Sequence, residues 1–337
     1  MEEAPKGILN LGNTCYINTC IQILSHINSF SKILREIPIR NTTKIDHLLW
    51  NNWKNIIDIM DDNKTGEVLH PNGLITAIHN ISKHKKKAFL KNHEPEDIGE
   101  FIIFLIESLH ECISREIDIS ISGNSQNSLD DLAIEVYKKT KEEFEKQYSE
   151  INMLFRGVQV SQVLSLDGST VHTRNVEGFY LLDLPLISNS GENIDLYECI
   201  DNYVKPEILD GENQWLNEKT NQKESIQKSI SFWSFPELFI ISLKRIDFMG
   251  NKINTNVLYP LELNLSKYVI GYKKLEFQYE LVGICCHHGN SHYGHYTAFV
   301  KKKDKWNFCN DEVVQLVENN EYLQTSFAYC LFYTKKK

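Results

Sequence analysis

Residues 279–310 read YELVGICCHHGNSHYGHYTAFVKKKDKWNFCN. Three β-rich runs, YELVGICCHH, GHYTAFVKK and KWNFCN, follow one another, and the glycines between the first two suggest a loop. Working outward, ELFIISLKRI upstream and FAYCLFYTK downstream are strands of the same texture, so the chain from 233 onward is expected to be β. The β character begins after Gly157 with VQVSQVLSL and FYLLDLPL (179–186), and the polar stretch 188–228 reads as loops between short elements. The first 150 residues differ. Apolar residues recur at helical spacing over 16–35 and 44–61, a short helix follows at 73–81, the run 94–113 carries Pro95 and acidic residues in its first turn, and 129–148 is amphipathic. The expected class is α+β, a helical N-terminal half joined to a β C-terminal half.

Composition bounds the function. Against 36 basic residues stand 45 acidic ones, a net charge of −9, which argues against a nucleic-acid protein. The short basic runs, His84–Lys87, Lys301–Lys303 and Lys335–Lys337, read as solvated loops or tails. No apolar stretch reaches the ~18 residues of a membrane span. The opening MEEAPKG lacks the basic-then-apolar layout of a signal peptide. A cytoplasmic or nuclear monomer without membrane contact is therefore expected, with its cysteines reduced. No two of the eight cysteines are spaced as C-x-x-C, so most are expected to be small buried hydrophobes.

LGNTCYINTC (11–20) holds two of them. Cys15 falls where a glycine-containing turn gives way to a helix near Tyr16, and the positive end of a helix dipole lowers a thiol pKa. Cys20 lies among apolar residues and reads as packing. A cysteine nucleophile needs a base and a group to orient that base. Four histidines crowd into nine residues at His287, His288, His292 and His295. One reading of that cluster is a zinc site; the other is a catalytic base, with His295 opening a rigid strand. Asn310–Asp311, fifteen residues on, closes the strand KWNFC, where a hairpin neighbour places a side chain beside the histidine.

Several segments together resemble one family, the ubiquitin-specific proteases. GILNLGNTCYINTCIQIL resembles its cysteine box, residues 279–314 its histidine box, and PEDIGEFIIFLIESLHE its glutamine–aspartate–alanine helix. FRGVQV with FYLLDLPL resembles the start of its fingers, FPELFIISLKRIDF its apolar strand, and FAYCLFYTK its last strand. These matches run in family order from about residue 6 to 334, so a near-minimal catalytic domain over 1–337 is expected. The resemblance implies a papain-like cysteine protease fold of the ubiquitin-specific protease type: a helical thumb (about 1–150), β fingers (151–232) and a β palm (233–337). It implies Cys15 as nucleophile, His295 as general base, Asn310 as the group that orients it, Asp311 as a supporting polar residue and Asn10 as an oxyanion-hole amide. Asp97 and Glu100 match an acidic pair that grips the extended ubiquitin tail, and His287, Tyr296 and Tyr329 are implied along the same path. The implied partners are ubiquitin and ubiquitinated proteins, with no cofactor.

The departures are specific. The family often binds a structural zinc through two C-x-x-C pairs, whose places here are Ser165 and Gly168, then Asn217 and Thr220; no zinc is expected. Pro95 stands for the usual glutamine, Cys309 for an aromatic and His288 for a serine. Two alternatives remain: a ubiquitin-binding scaffold without activity, and a protease for another ubiquitin-like modifier.

Overall fold

The computed structural model describes residues 4–40, 43–62, 67–87, 96–187, 193–290 and 293–336. Seven helices come first: α1 (Cys15–Ser25), α2 (Asn28–Glu36), α3 (Lys44–Asp61), α4 (Asn72–His84), α5 (Ile98–Ile113), α6 (Ser128–Gln147) and α7 (Glu150–Phe155). The 16–35 pattern is thus two helices, because the backbone turns extended at Ile27, which with Phe30 enters the core. Every residue of α1 is buried. A helix covered all round is a central one, and α1 packs on strands as well as on other helices. Side-chain caps set four starts: Thr43 for α3, Asp97 for α5, Asn127 for α6 and Ser149 for α7 each accept a backbone N–H of the first turn. Pro95 and His292 lie outside the described residues. Among those described, no helix is long and apolar enough to cross a membrane.

The strands are β1 (Gly157–Ser165), β2 (Val171–Phe179), β3 (Leu181–Pro185), β4 (Asn193–Asp195), β5 (Glu207–Leu209), β6 (Trp215–Asn217), β7 (Gln222–Glu224), β8 (Ile226–Ser234), β9 (Leu238–Lys244), β10 (Asn256–Leu258), β11 (Glu262–Asn264), β12 (Gln278–Gly289), β13 (Gly294–Lys302), β14 (Lys305–Asn310), β15 (Val313–Leu316) and β16 (Ala328–Lys335). A four-stranded sheet runs β2-β1-β8-β5, with β6 and β7 as a separate hairpin. An eight-stranded sheet runs β15-β14-β13-β12-β16-β9-β3, and β11 pairs with β12.

Both faces of the larger sheet are covered, which explains its near-continuous apolar runs. Along β9, Leu238 and Ile240 join the core beneath α1, α3 and α5, whereas Phe239, Ile241 and Leu243 join a second core on the opposite face. Along β16, Cys330 and Phe332 face the first core, and Leu331 and Tyr333 the second. Two departures from the sequence reading follow. First, β3 pairs parallel with β9, so 181–185 belongs to the large sheet and not with β1 and β2. Second, one of the short elements expected between the loops of 188–228 is a helix within this otherwise β region, α8 (Leu196–Val204), capped by Asp195 and burying Leu196, Cys199 and Ile200 in the second core.

Candidate active site

Asn10 organises the turn that delivers Cys15. Its Oδ1 accepts from the backbone N–H of Gly12 at 2.9 Å and from the Thr14 hydroxyl at 3.2 Å. Thr14 Oγ1 in turn accepts from Leu11 N at 3.0 Å. Gly12 (φ 95°) and Asn13 (φ 50°) are both left-handed, the backbone that glycine and asparagine tolerate best. The chain then enters α1 at Cys15, one residue earlier than expected.

The Cys15 thiol is 7% exposed. Backbone N–H groups of Tyr296, Tyr16 and Cys15 itself face the sulfur and favour thiolate, yet the pKa is raised: burial is the largest cause, and the charge of Asp311 adds to it. The lowering expected from the helix start is therefore overridden. Burial and Asp311 thus both favour the protonated thiol over the thiolate.

His295 is the residue before Tyr296, whose N–H faces the sulfur. In the β13–β14 pairing Ala298 stands opposite Cys309, which brings Asn310 back beside His295. His295 Nε2 lies 2.7 Å from Asn310 Oδ1. With an oxygen as acceptor, Nε2 carries the hydrogen and the ring's lone pair sits on Nδ1. Asp311, left-handed at φ 48° in the β14–β15 turn, has Oδ2 at 3.8 Å from the same Nε2, beyond hydrogen-bond reach. Its carboxylate is held instead by two carboxamides: Asn10 Nδ2 donates to Oδ2 and Asn18 Nδ2 to Oδ1, each at 2.8 Å. Asn18 carried no sequence signal beyond its place in the cysteine box. The structure thus brings Asn10, Asn18, His295, Asn310 and Asp311 together at the start of the Cys15 helix.

The other expected residues form a neighbouring group. Asp97 Oδ1 caps α5 through Glu100 N at 3.0 Å, and Oδ2 accepts from the Tyr329 hydroxyl at 2.6 Å. Tyr329 packs on His287 (ring centroids 5.6 Å apart) and Tyr296 (6.0 Å), and His287 lies 4.6 Å from Tyr296. Glu100 stands exposed on the first turn of α5. His287 is pushed down to about 4, by burial first and then by the neighbouring Lys252 ammonium. Lys252, which the sequence reading missed, sits 3.1 Å from His287 Nδ1 and donates to the carbonyls of His287 and Gly289, each at 2.9 Å. A Cβ on Gly294 would lie 2.1 Å from His287 Nε2, so a glycine is required there.

Among the described residues, neither metal reading suits the donors. His287 faces Lys252, His288 faces the Thr297 hydroxyl at 3.2 Å, and His295 faces Asn310, three separate environments. At the far tip of the small sheet, Ser165 and Gly168 close the β1–β2 turn, with Gly168 N bonded to Ser165 O at 2.8 Å. Asn217 Nδ2 (2.9 Å) and Thr220 Oγ1 (3.2 Å) both donate to Glu224 Oε1. No thiol or imidazole stands at any of the four positions, and their amide and hydroxyl groups already serve their turns. These residues do not fit a zinc site. His172 bridges the two turns, 3.9 Å from Glu224 and with its ring 5.5 Å from that of Trp215.

Comparison with known proteins accords with this architecture. Residues 6–333 match the family model described as ubiquitin carboxyl-terminal hydrolase. The chain is 29% identical to the Drosophila melanogaster ubiquitin carboxyl-terminal hydrolase Usp2, over 99% of this chain and 35% of that protein. It is 27% identical to Saccharomyces cerevisiae ubiquitin carboxyl-terminal hydrolase 4 (97% and 39%) and 26% identical to the Arabidopsis thaliana protein of that name (96% and 87%). The chain thus spans little more than a third of the length of the first two relatives. Among solved structures, a chain of the SAGA DUB module Ubp8/Sgf11/Sus1/Sgf73 bound to monoubiquitin superposes with a TM-score of 0.73 at 22% identity, over 98% of this chain and 69% of that one. That likeness supports the fold. With a family model matched from residue 6 to 333, the chain belongs to the ubiquitin carboxyl-terminal hydrolases, in their ubiquitin-specific protease branch.

Proposed function

We propose that the chain hydrolyses the peptide or isopeptide bond after the C-terminal glycine of ubiquitin, using Cys15 as nucleophile. The observation that carries this reading is the pairing of His295 Nε2 with Asn310 Oδ1 at 2.7 Å, one residue from the Tyr296 N–H that faces the Cys15 sulfur. Nε2 is engaged, so Nδ1 takes the thiol proton as sulfur attacks the carbonyl carbon. The oxyanion is held by a backbone N–H at Cys15 and by the second hydrogen of Asn10 Nδ2, whose first hydrogen is directed to Asp311. Collapse of the tetrahedral intermediate breaks the C–N bond, and His295 returns its proton to the leaving amine. Water, deprotonated by the same imidazole, then hydrolyses the thioester and frees Cys15.

On this reading α1–α7 form the thumb, the four-stranded sheet the fingers and the large sheet, including β3, the palm. Asp97, Glu100, His287, Tyr296 and Tyr329 line the path of the basic, glycine-ended ubiquitin tail. The eight free thiols suit a reducing cytosol or nucleus. The test is ubiquitin carrying a C-terminal thiol-reactive group. A covalent adduct with the wild type, lost in Cys15→Ala, is expected, together with a fall in turnover of about 10⁴-fold or more. Retained turnover in that variant rejects the assignment, and an adduct formed faster with another ubiquitin-like modifier moves the substrate.

A further inference from the structure

Asn18 stands one helical turn beyond Cys15 and is 2% exposed. Its Nδ2 donates to Asp311 Oδ1 at 2.8 Å and lies 3.4 Å from Leu9 O and 3.5 Å from Ile8 O. Three acceptors around one NH₂ group fix which way the carboxamide points, since reversal sets its oxygen against a carboxylate and two carbonyls. Meanwhile its Oδ1 is buried without a hydrogen-bond partner among the described residues. A buried amide satisfied only on its donor side costs stability. An apolar side chain would fill the volume without that cost, so packing alone does not account for the residue.

Its position does. Asp311 is where three side chains converge: Asn18 on one oxygen, Asn10 on the other, and His295 Nε2 at 3.8 Å. The backbone of Asp311 is fixed separately, through its carbonyl and Ile8 N at 2.8 Å; its carboxylate is oriented by the two amides. We propose that Asn18 is a positioning residue: by holding the Asp311 carboxylate it fixes the direction of that charge relative to His295 and Asn310.

This inference rests on the cysteine-hydrolase reading above. When the proton moves to His295, an imidazolium forms beside Asp311. Held by Asn18, the carboxylate stabilises that charge through space and leaves Nε2 on Asn310. Released, it is free to rotate, to compete with Asn310 for Nε2 and to let go of Asn10. Asn18 is buried away from the tail path, so the effect falls on kcat with KM little changed.

Two variants test this with ubiquitin carrying a C-terminal fluorogenic amide. Asn18→Ala is expected to lower kcat about tenfold or more at every pH, with KM within about twofold. Asn18→Asp keeps the shape and places a carboxyl against Asp311. Two such groups share one proton at low pH and repel at high pH. The ratio of Asn18→Asp to wild-type kcat is therefore expected to rise about tenfold from pH 8 to pH 5.5. Taking the ratio cancels the titrations common to both proteins. Those arise from the charged groups of the surrounding elements: Cys15 on α1, His295 on β13, Asp311 and Glu312 on the β14–β15 turn, and Lys6 on the entering segment. Wild-type kcat in Asn18→Ala, or a flat ratio in Asn18→Asp, overturns the proposal; if the alanine variant does not fold, the ratio decides. Cys15→Ala runs alongside. If it retains turnover, the hydrolase reading has failed; if it is inactive while the Asn18 variants behave as wild type, the role of Asn18 alone has.

Discussion

The centre of the molecule and the tip of its small sheet are both held by side-chain hydrogen bonds, but of opposite kinds. At the centre, Asn10 and Asn18 reach Asp311 across 301 and 293 residues of sequence, and the Asp311 side chain is 9% exposed. At the tip, Asn217 and Thr220 reach Glu224 across seven and four residues, and the Glu224 side chain is 31% exposed. Long-range bonds in a dry setting form only when the whole chain is folded, and they hold geometry tightly. Short-range bonds near water form and break with their own turn. The first arrangement suits chemistry. The second suits a solvent-facing turn.

The largest break in this contrast is Asn10→Ala. It removes one of the two holds on Asp311 and, on the proposed mechanism, an oxyanion donor. Turnover of the fluorogenic ubiquitin amide is expected to fall by about 10²–10³, and a wild-type rate would remove Asn10 from the mechanism. Acid comes next. His287 is depressed to about 4 and His26 to about 3, both by burial first. The unfolded chain binds these protons near pH 6.5 and the folded one does not, so the stability they leave intact above that value is lost as pH falls toward 4. Urea midpoints are expected to drop between pH 7.5 and pH 5, with a shallower slope in His26→Gln. An unchanged slope shows that His26 is not the group responsible. The smallest effect belongs to the tip. Glu224→Ala strands the buried Asn217 amide and the exposed Thr220 hydroxyl and is expected to cost about 1 kcal/mol in urea unfolding, while alkylation of Cys15 by iodoacetamide stays within about twofold of wild type. A larger change in that alkylation rate would show the two regions to be coupled.

The same distinction separates what the sequence disclosed from what it hid. The spans of α3 and α6 were readable from apolar period because helix signals are local, whereas α5 begins at Ile98, capped by Asp97, four residues after the expected start at 94. The catalytic candidates were visible through motif spacing, and the hairpin that joins His295 to Asn310 is itself local. By contrast β3 read as part of the first β region, because its parallel partner β9 lies more than fifty residues away and nothing within LLDLP declares it. The helix α8 is nine residues framed by polar turns, too short for a periodic signal to stand out. Asn18 and Lys252 draw their meaning from contacts at separations of 293 and 35 residues. The direction of the Cys15 shift was missed for a related reason: the dipole is a property of the helix start, but the burial that outweighs it comes from the sheet packed above.

The bond from Asn18 to Asp311 also carries a clock. Ribosomes add roughly 5–20 residues each second, so the 293 residues between these partners correspond to roughly 15–60 s of synthesis. For all but the last 16 of those residues (311 − 295) the thiol already exists and the His295 imidazole does not. On the proposed mechanism a nascent chain therefore carries an inert cysteine, and competence arrives only when the last hairpins have been made and have closed back onto the first helix.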